Sequence, residues 1–288
     1  MRRIGWIVAL LLAASPVFAA GTLDRVRETK TFKIGYRSDA KPYSYRTEKG
    51  EPAGYIVDLC REVASEVSKA AGGGIRTEYV VVPSDRRFES VRDGRVDVLC
   101  DPASVTLVRR ELVDFSLPTF LDGASILSRG AKPIESYPEL AGKRIGVLAG
   151  TTTERTLREA LASLRITAAI VTTTTDHRAG MDLLAGDQID AYFADRAIIA
   201  ALLYEGGRPG FRLASRYFSY ETYALALRRG DDEFRLLVDR TLARLYRGGR
   251  IHLEPLALQS LPKPRSHLKI SAMFYPISAT SKALPDYF

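Results

Sequence analysis

Residues 143–173 read KRIGVLAGTTTERTLREALASLRITAAIVTT, and this stretch decides the fold. Lys143–Leu148 is a short apolar run, Ala149–Thr153 a loop of small and hydroxyl residues, Thr153–Leu164 a helical pattern, and Ala168–Thr173 a second β-rich run. Strand, helix and strand joined by short loops make a parallel βαβ unit. The same alternation extends outward. Upstream, Phe32–Arg37 reads as a strand, and a helix from about Gly54 to Ala70 has Ile56, Leu59, Cys60, Val63 and Val67 on one face. A strand at Thr77–Val82, a short helix to Gly94 and a strand at Val96–Cys100 follow. Downstream lie a helix from His177 to Gly186, a strand Ile189–Phe193, a helix Arg196–Tyr204 and a mixed run Phe211–Leu227. Asp231–Tyr246 then forms a long helix with Phe234, Leu237, Val238, Leu242 and Leu245 on one face, stopped by Gly248 and Gly249.

That last helix has no sheet of its own and most simply packs back on the first unit. The expected architecture is α/β with two lobes, each a mixed sheet flanked by helices, joined by two hinge crossings near Thr119–Ala124 and Phe218–Ala224. Lobe 1 takes residues 20–120 and 221–288, and lobe 2 takes 121–220. Strand ends of both lobes then face one cleft, where a small molecule would couple binding to closure.

Composition narrows the classes. At 288 residues, 46% hydrophobic and 26% charged, the chain is neither disordered, fibrous nor a small disulfide scaffold. Its formal charge of +8 falls to +6 without Arg2 and Arg3, and no basic run or basic–aromatic interleaving marks a nucleic-acid groove, so nucleic acid is not expected as a partner. Arg2 and Arg3, the apolar run Ile4–Ala14, Pro16 and the small residues Val17 and Ala19 read as a signal peptide over 1–19, cleaved after Ala19. The alternative, a membrane anchor, needs about 20 apolar residues. Cys60 and Cys100 are the two cysteines, and export favours one bridge between them over two buried thiols. His177, His252 and His267 lack ligand spacing, so neither a metal nor another cofactor is expected. GxSxG, HExxH and Walker patterns are absent, and no catalytic residue is assigned.

What remains is a set of polar groups at strand ends. Arg109 can hold a carboxylate bidentately, with Ser104 and Thr106 as further donors. Across the cleft, Thr151, Thr152 and Thr153 open a helix whose free N–H groups suit an anion, although one of them must serve as plain N-cap. Asp195 can accept an ammonium or cap the helix starting at Arg196. Tyr43 and Tyr45 can wall an aliphatic chain or pack in the core. Together these groups suit a zwitterion.

The arrangement from Thr31 to Gly249 resembles the periplasmic solute-binding proteins of ABC importers for polar amino acids, a type II two-lobe fold. The motifs are Lys41-Pro42-Tyr43-Ser44-Tyr45, Gly54-Tyr55-Ile56-Val57-Asp58-Leu59, Asp93-Gly94-Arg95-Val96-Asp97, Thr106 to Arg109 leading into Val113-Asp114-Phe115-Ser116, Gly150-Thr151-Thr152, and Gly186 to Asp195. Gly35-Tyr36-Arg37, Ser84-Asp85-Arg86-Arg87 and Asp176-His177 are most similar to the glutamate/aspartate branch. The resemblance implies that Arg37, Arg87 and His177 surround the ligand side chain and that Arg109, Ser104 and Thr106 take the α-carboxylate. Asp195 would take the α-ammonium, and Thr151 and Thr153 would close from the second lobe, with Tyr45 beside the ligand. Without the resemblance, Arg37 and Arg87 read as surface salt bridges. It further implies a periplasmic, monomeric, non-enzymatic receptor for an acidic amino acid that delivers it to an inner-membrane permease. An exported dehydratase for prephenate-like acids is the alternative, but the sequence places no extra carboxylate in the cleft as its general acid. Three departures stand out: Ile251 to Leu256 replaces the family's Lys-Trp-Phe, the only tryptophan is Trp6, and Arg196 stands where it could compete for Asp195.

Overall fold

The computed structural model describes residues 21–173, 176–206 and 209–248. The signal segment 1–19, the departure at 251–256 and the tail 259–288 lie outside the described residues. Helix α1 (Thr22–Thr29), which sequence reading missed, seats Leu23 and Val26 against the core and leads into β1 (Thr31–Tyr36). Three short antiparallel strands follow, β2 (Asp39–Ala40), β3 (Ser44–Arg46) and β4 (Pro52–Ala53). Helix α2 (Tyr55–Ala70) buries Ile56, Leu59, Cys60, Val63 and Val67, the stripe its spacing predicts. Gly54 precedes it at φ +122°, where a β-carbon would lie 2.4 Å from the carbonyl oxygen of Tyr43, so only glycine fits.

Next come β5 (Arg76–Val81), α3 (Arg87–Arg92), β6 (Val98–Cys100), the single turn α4 (Leu107–Arg110) and β7 (Val113–Asp122). Beyond Gly123 the chain forms β8 (Ala124–Arg129), β9 (Arg144–Leu148), α5 (Thr152–Ser163), β10 (Ala169–Thr173), α6 (His177–Ala185), β11 (Ala191–Asp195), α7 (Arg196–Gly206) and β12 (Phe211–Leu213). It ends in β13 (Glu221–Arg228) and α8 (Asp232–Arg247). The stretch at 143–173 is thus strand, helix and parallel strand, as read.

Two five-stranded sheets result, ordered β5-β1-β6-β13-β7 and β10-β9-β11-β8-β12. Both are mixed. In the first, β1 is parallel to β5 and β6 while β13 is antiparallel to β6 and β7; in the second, β9 is parallel to β10 and β11 while β8 is antiparallel to β11 and β12. Helix α8 packs on the first sheet's side through Phe234, Val238, Leu242 and Leu245, with Phe234 edge-on to Phe32 at 5.9 Å. Ile126, Ile145, Val147, Leu157, Leu161 and Phe193 fill one core of the second sheet, and Leu127, Met181, Leu184, Tyr192 and Ile199 fill another.

The chain passes between the sheets twice, through Gly123 and between Leu213 and Glu221. The two passages are laced together: Ala124 N–H donates to Ser219 Oγ at 2.9 Å and Phe218 N–H to the Ala124 carbonyl at 2.8 Å. A β-carbon on Gly123 would stand 1.8 Å from the Ser219 carbonyl oxygen. Sequence reading placed a hinge crossing near Thr119–Ala124 without bounding β7 or β8, and ended the strand before Asp195 at Phe193; β11 instead extends through Asp195 because it pairs along its length with β8. Cys60 and Cys100 are bonded, joining α2 to β6 across 40 residues, a closure worth about 3–4 kcal/mol on a chain-entropy argument.

Candidate functional site

Three guanidinium groups come from the first sheet's strand ends. Arg37 follows β1 and is 4% exposed, and Arg87 opens α3 and is 3% exposed. A buried guanidinium is costly unless an anion meets it. Each has one from the chain itself. Arg37 Nη2 lies 2.6 and 2.7 Å from the two carboxylate oxygens of Asp39, and Arg87 Nε lies 3.0 Å from Asp101 Oδ2. Arg87 also donates to the Ser84 carbonyl. These arginines are neither surface salt bridges nor bare cations, and sequence reading missed both aspartates. The available signal was position, Asp39 two residues after Arg37 and Asp101 directly after the strand end at Cys100.

Arg109 is different. Its Nη1 donates to the Ser104 carbonyl at 2.8 Å and its guanidinium lies 4.6 Å from the Phe88 ring centre. Among the described residues no carboxylate pairs with it, and burial, with the positive charge of Arg87, lowers its pKa to about 9.

The hydroxyl groups divide otherwise than expected. Thr106 Oγ1 accepts the Arg109 N–H at 3.2 Å and is spent as the N-cap of α4. Thr151 is the N-cap of α5, accepting the Glu154 N–H at 3.1 Å and donating to the Leu148 carbonyl at 2.7 Å, while Thr153 Oγ1 sits 2.7 Å from Thr151 Oγ1. Both are turned to their own helix start. Thr152, one position between them, faces the gap instead: its hydroxyl is 3.1 Å from Ser104 Oγ, and both hydroxyls donate to Glu221 Oε2. Ser104 is thus brought together with Thr152 and Glu221 across the gap. An N-cap side chain must fold back onto N–H groups of its first turn, whereas the next residue is free to point outward.

Acidic groups gather on the far side. Asp195 ends β11 with Oδ1 buried and without a hydrogen-bonding partner. Burial raises its pKa well above the carboxylate range, and the charges of Glu221 and Asp122 add to this. Asp122 accepts from the Tyr43 hydroxyl at 3.0 Å and the Ala197 N–H at 3.3 Å, and burial lifts it to about 7. Carboxylates beyond Asp195 do stand in this cleft, against expectation. Arg196 does not compete for Asp195: it turns to Ser125 Oγ at 3.1 Å and to the Ala214 carbonyl.

His177 is 3% exposed, with Nδ1 3.0 Å from the Tyr192 hydroxyl, and burial drops its pKa to about 4, so the imidazole is neutral. The His177 backbone N–H donates to Asp39 Oδ2 at 3.1 Å, tying the start of α6 to the Arg37–Asp39 pair. Tyr43 is a core residue, 1% exposed and edge-on to Phe120 and Tyr223. Tyr45 stands opposite Asp39 in the β2–β3 ladder, under Lys41 Nζ at 4.8 Å, and lines an outer cavity of about 580 Å³ with Asp39, Arg178 and Glu205. It thus borders the arginine group beside Asp39.

Contacts span the gap at several points: Ser84 Oγ to the Ala149 carbonyl at 3.2 Å, Ser104 to Thr152, Asp39 to His177, and Lys41 to Glu205. The arrangement is closed. Among the described residues no group of side chains is placed to hold a metal ion and no helix is long and apolar enough to cross a membrane.

The geometry can be set beside known proteins. Residues 32–253 match the model of the bacterial extracellular solute-binding proteins, family 3. The chain is 32% identical over 252 residues to the L-glutamate/L-aspartate-binding protein of Pseudomonas aeruginosa, covering 85% of this chain and 83% of that one. Among solved structures it is similar to the solute receptor for L-cysteine of Neisseria gonorrhoeae, with TM-score 0.73, 23% identity, and coverage of 84% of this chain and 93% of that one. It is also similar to the ancestral amino acid-binding protein AncCDT-1, a precursor of cyclohexadienyl dehydratase, with TM-score 0.69, 25% identity, and coverage of 79% and 95%. Two mixed sheets joined by two crossings, a cleft of opposed charges between them and a family model spanning nearly the whole described chain agree: this chain belongs to the bacterial extracellular solute-binding proteins, family 3.

Proposed function

We propose that the protein is a non-catalytic periplasmic receptor that closes its two lobes on an acidic amino acid, glutamate or aspartate, and delivers it to an ABC importer in the inner membrane. One observation carries the reading: an unpaired cation and an acid with an unpartnered oxygen share one cleft. Arg109 meets no carboxylate of the described residues, and Asp195 Oδ1 is buried without a hydrogen-bonding partner. An α-amino acid brings the complementary carboxylate and ammonium. Arg37 and Arg87 add donors where its side chain would lie, and a relative with 32% identity is named for glutamate and aspartate. Calorimetry on the exported protein tests this. Micromolar or tighter binding of glutamate or aspartate is expected; binding of neither, with a basic amino acid bound instead, removes the acidic assignment.

A second reading, an exported dehydratase for prephenate-like acids, is favoured by the buried acid Asp122, whose carboxyl holds its proton up to about pH 7 and could act as a general acid. Similarity to a dehydratase precursor points the same way. Incubation with prephenate or arogenate separates the two: turnover supports the enzyme, and unchanged substrate removes it.

A further inference from the structure

The group expected around the ligand side chain, Arg37, Arg87 and His177, already contains two carboxylates. Asp39 offers both oxygens to Arg37 and takes the His177 N–H with Oδ2, and its side chain is 11% exposed. Asp101 forms an ion pair with Arg87 Nε at 3.0 Å with its side chain 1% exposed, and both of its carboxylate oxygens are buried without a hydrogen-bonding partner. Two guanidinium charges are thus met by two carboxylate charges, and His177 is neutral. The wall facing an incoming side chain has no net charge. It carries donors and acceptors side by side.

That balance changes what the wall can discriminate. A ligand carboxylate gains N–H donors from Arg37 and Arg87 but enters beside two carboxylates in a water-poor site, where like charges repel strongly. A carboxamide presents its oxygen to the same guanidinium groups and its NH₂ to Asp101 Oδ1 or Asp39, with no charge to bury. A bare pair of arginines would reject the amide; a pair of arginine–aspartate couples has little reason to.

We propose that Asp39 and Asp101 are specificity-determining residues that make the side-chain subsite accept an amide alongside its acid, so that glutamine or asparagine binds within about tenfold of glutamate or aspartate. The inference rests on the reading that an amino acid occupies this cleft. Calorimetry on the full exported chain with glutamate, glutamine, aspartate and asparagine tests it, using the wild type, Asp39→Asn and Asp101→Asn. In the wild type, each acid and its amide are expected to differ by less than about tenfold. Removing one carboxylate charge is expected to raise the preference for the acid by about tenfold or more. A wild-type preference for the acid above tenfold overturns the proposal while leaving the receptor intact, as does a variant whose preference stays put or moves toward the amide. Binding of none of the four overturns the receptor reading as well. Because Asp101→Asn leaves a buried guanidinium short of its partner, the less buried Asp39→Asn and the wild-type ratio decide the matter if that variant fails to fold.

Discussion

Arg109 is the clearest case at the scale of single residues, because its partners leave its charge unanswered. It holds the Ser104 carbonyl and the Phe88 face, and neither is an anion. A desolvated, charge-assisted contact to a ligand carboxylate is worth about 2–5 kcal/mol when one side is truncated, so Arg109→Ala should weaken every amino acid by about 100-fold or more in calorimetry, with the circular dichroism spectrum unchanged. A loss confined to acidic ligands would mean that Arg109 meets the side chain instead. Asp122 and Asp195 give a pH signature. Both are raised by burial, Asp122 to about 7, so the ligand-free native state keeps protons that the unfolded chain releases near pH 4. Their contribution is full at the acid end and is lost as pH rises through the folded values; the thermal midpoint of ligand-free protein should therefore fall between about pH 5 and 7.5, and Asp122→Asn should flatten the fall. A wild-type profile already flat across that range would refute the assignment. Arginine, serine and aspartate positions at strand ends were legible in the sequence, but their partners were not. Asp39 and Asp101 are ordinary surface residue types marked only by their position at strand ends, and Glu221 comes beside Ser104 only in the assembled fold.

Elements with a strong internal rhythm were readable, and those defined by distant pairing were not. Helices α2 and α8 show apolar stripes at helical spacing, and each buries that stripe. Strand β7 carries Pro118, and Gly123 separates it from β8 where the sequence reads as a crossing; the two are strands because β13 and β11 supply the ladder from far along the chain. The same distinction explains Thr151 and Thr152. A Gly-Thr-Thr-Thr opening announces a capped helix start, but which hydroxyl caps and which faces the gap depends on one residue of register. Thr152→Val should consequently weaken amino-acid binding, by about tenfold for one lost hydroxyl contact, whereas Thr151→Ala should mainly cost about 1 kcal/mol of stability through the cap. Titration calorimetry beside urea unfolding separates them, and the reverse pattern would reassign the site. The bridge between α2 and β6 belongs to this scale too: Cys60→Ser with Cys100→Ser should lower unfolding free energy by about 3–4 kcal/mol.

Two sheets that share no strand are held in register by two short passages, so the motion available to the whole molecule is set there. The first passage continues a strand, β7 into β8 through Gly123, and the second is the stretch 214–220 between β12 and β13. Their mutual hydrogen bonds let the passages bend as a pair. Gly123 is the tightest point, since any β-carbon would press on the Ser219 carbonyl, and relief requires the passages to separate. The contacts across the gap, Ser104 with Thr152, Asp39 with His177 and Ser84 with Ala149, lie away from this pivot and depend on its angle. Gly123→Ala should therefore leave both sheets folded, with circular dichroism unchanged, yet prevent full closure. Small-angle scattering should show the wild type contracting on saturation with glutamate while the variant stays expanded. Affinity should drop by about tenfold or more, because a ligand held by one lobe loses half its contacts. A variant that contracts like the wild type would show that the passages can yield at Ser219, and the pivot would then have to be sought between Ala214 and Tyr220.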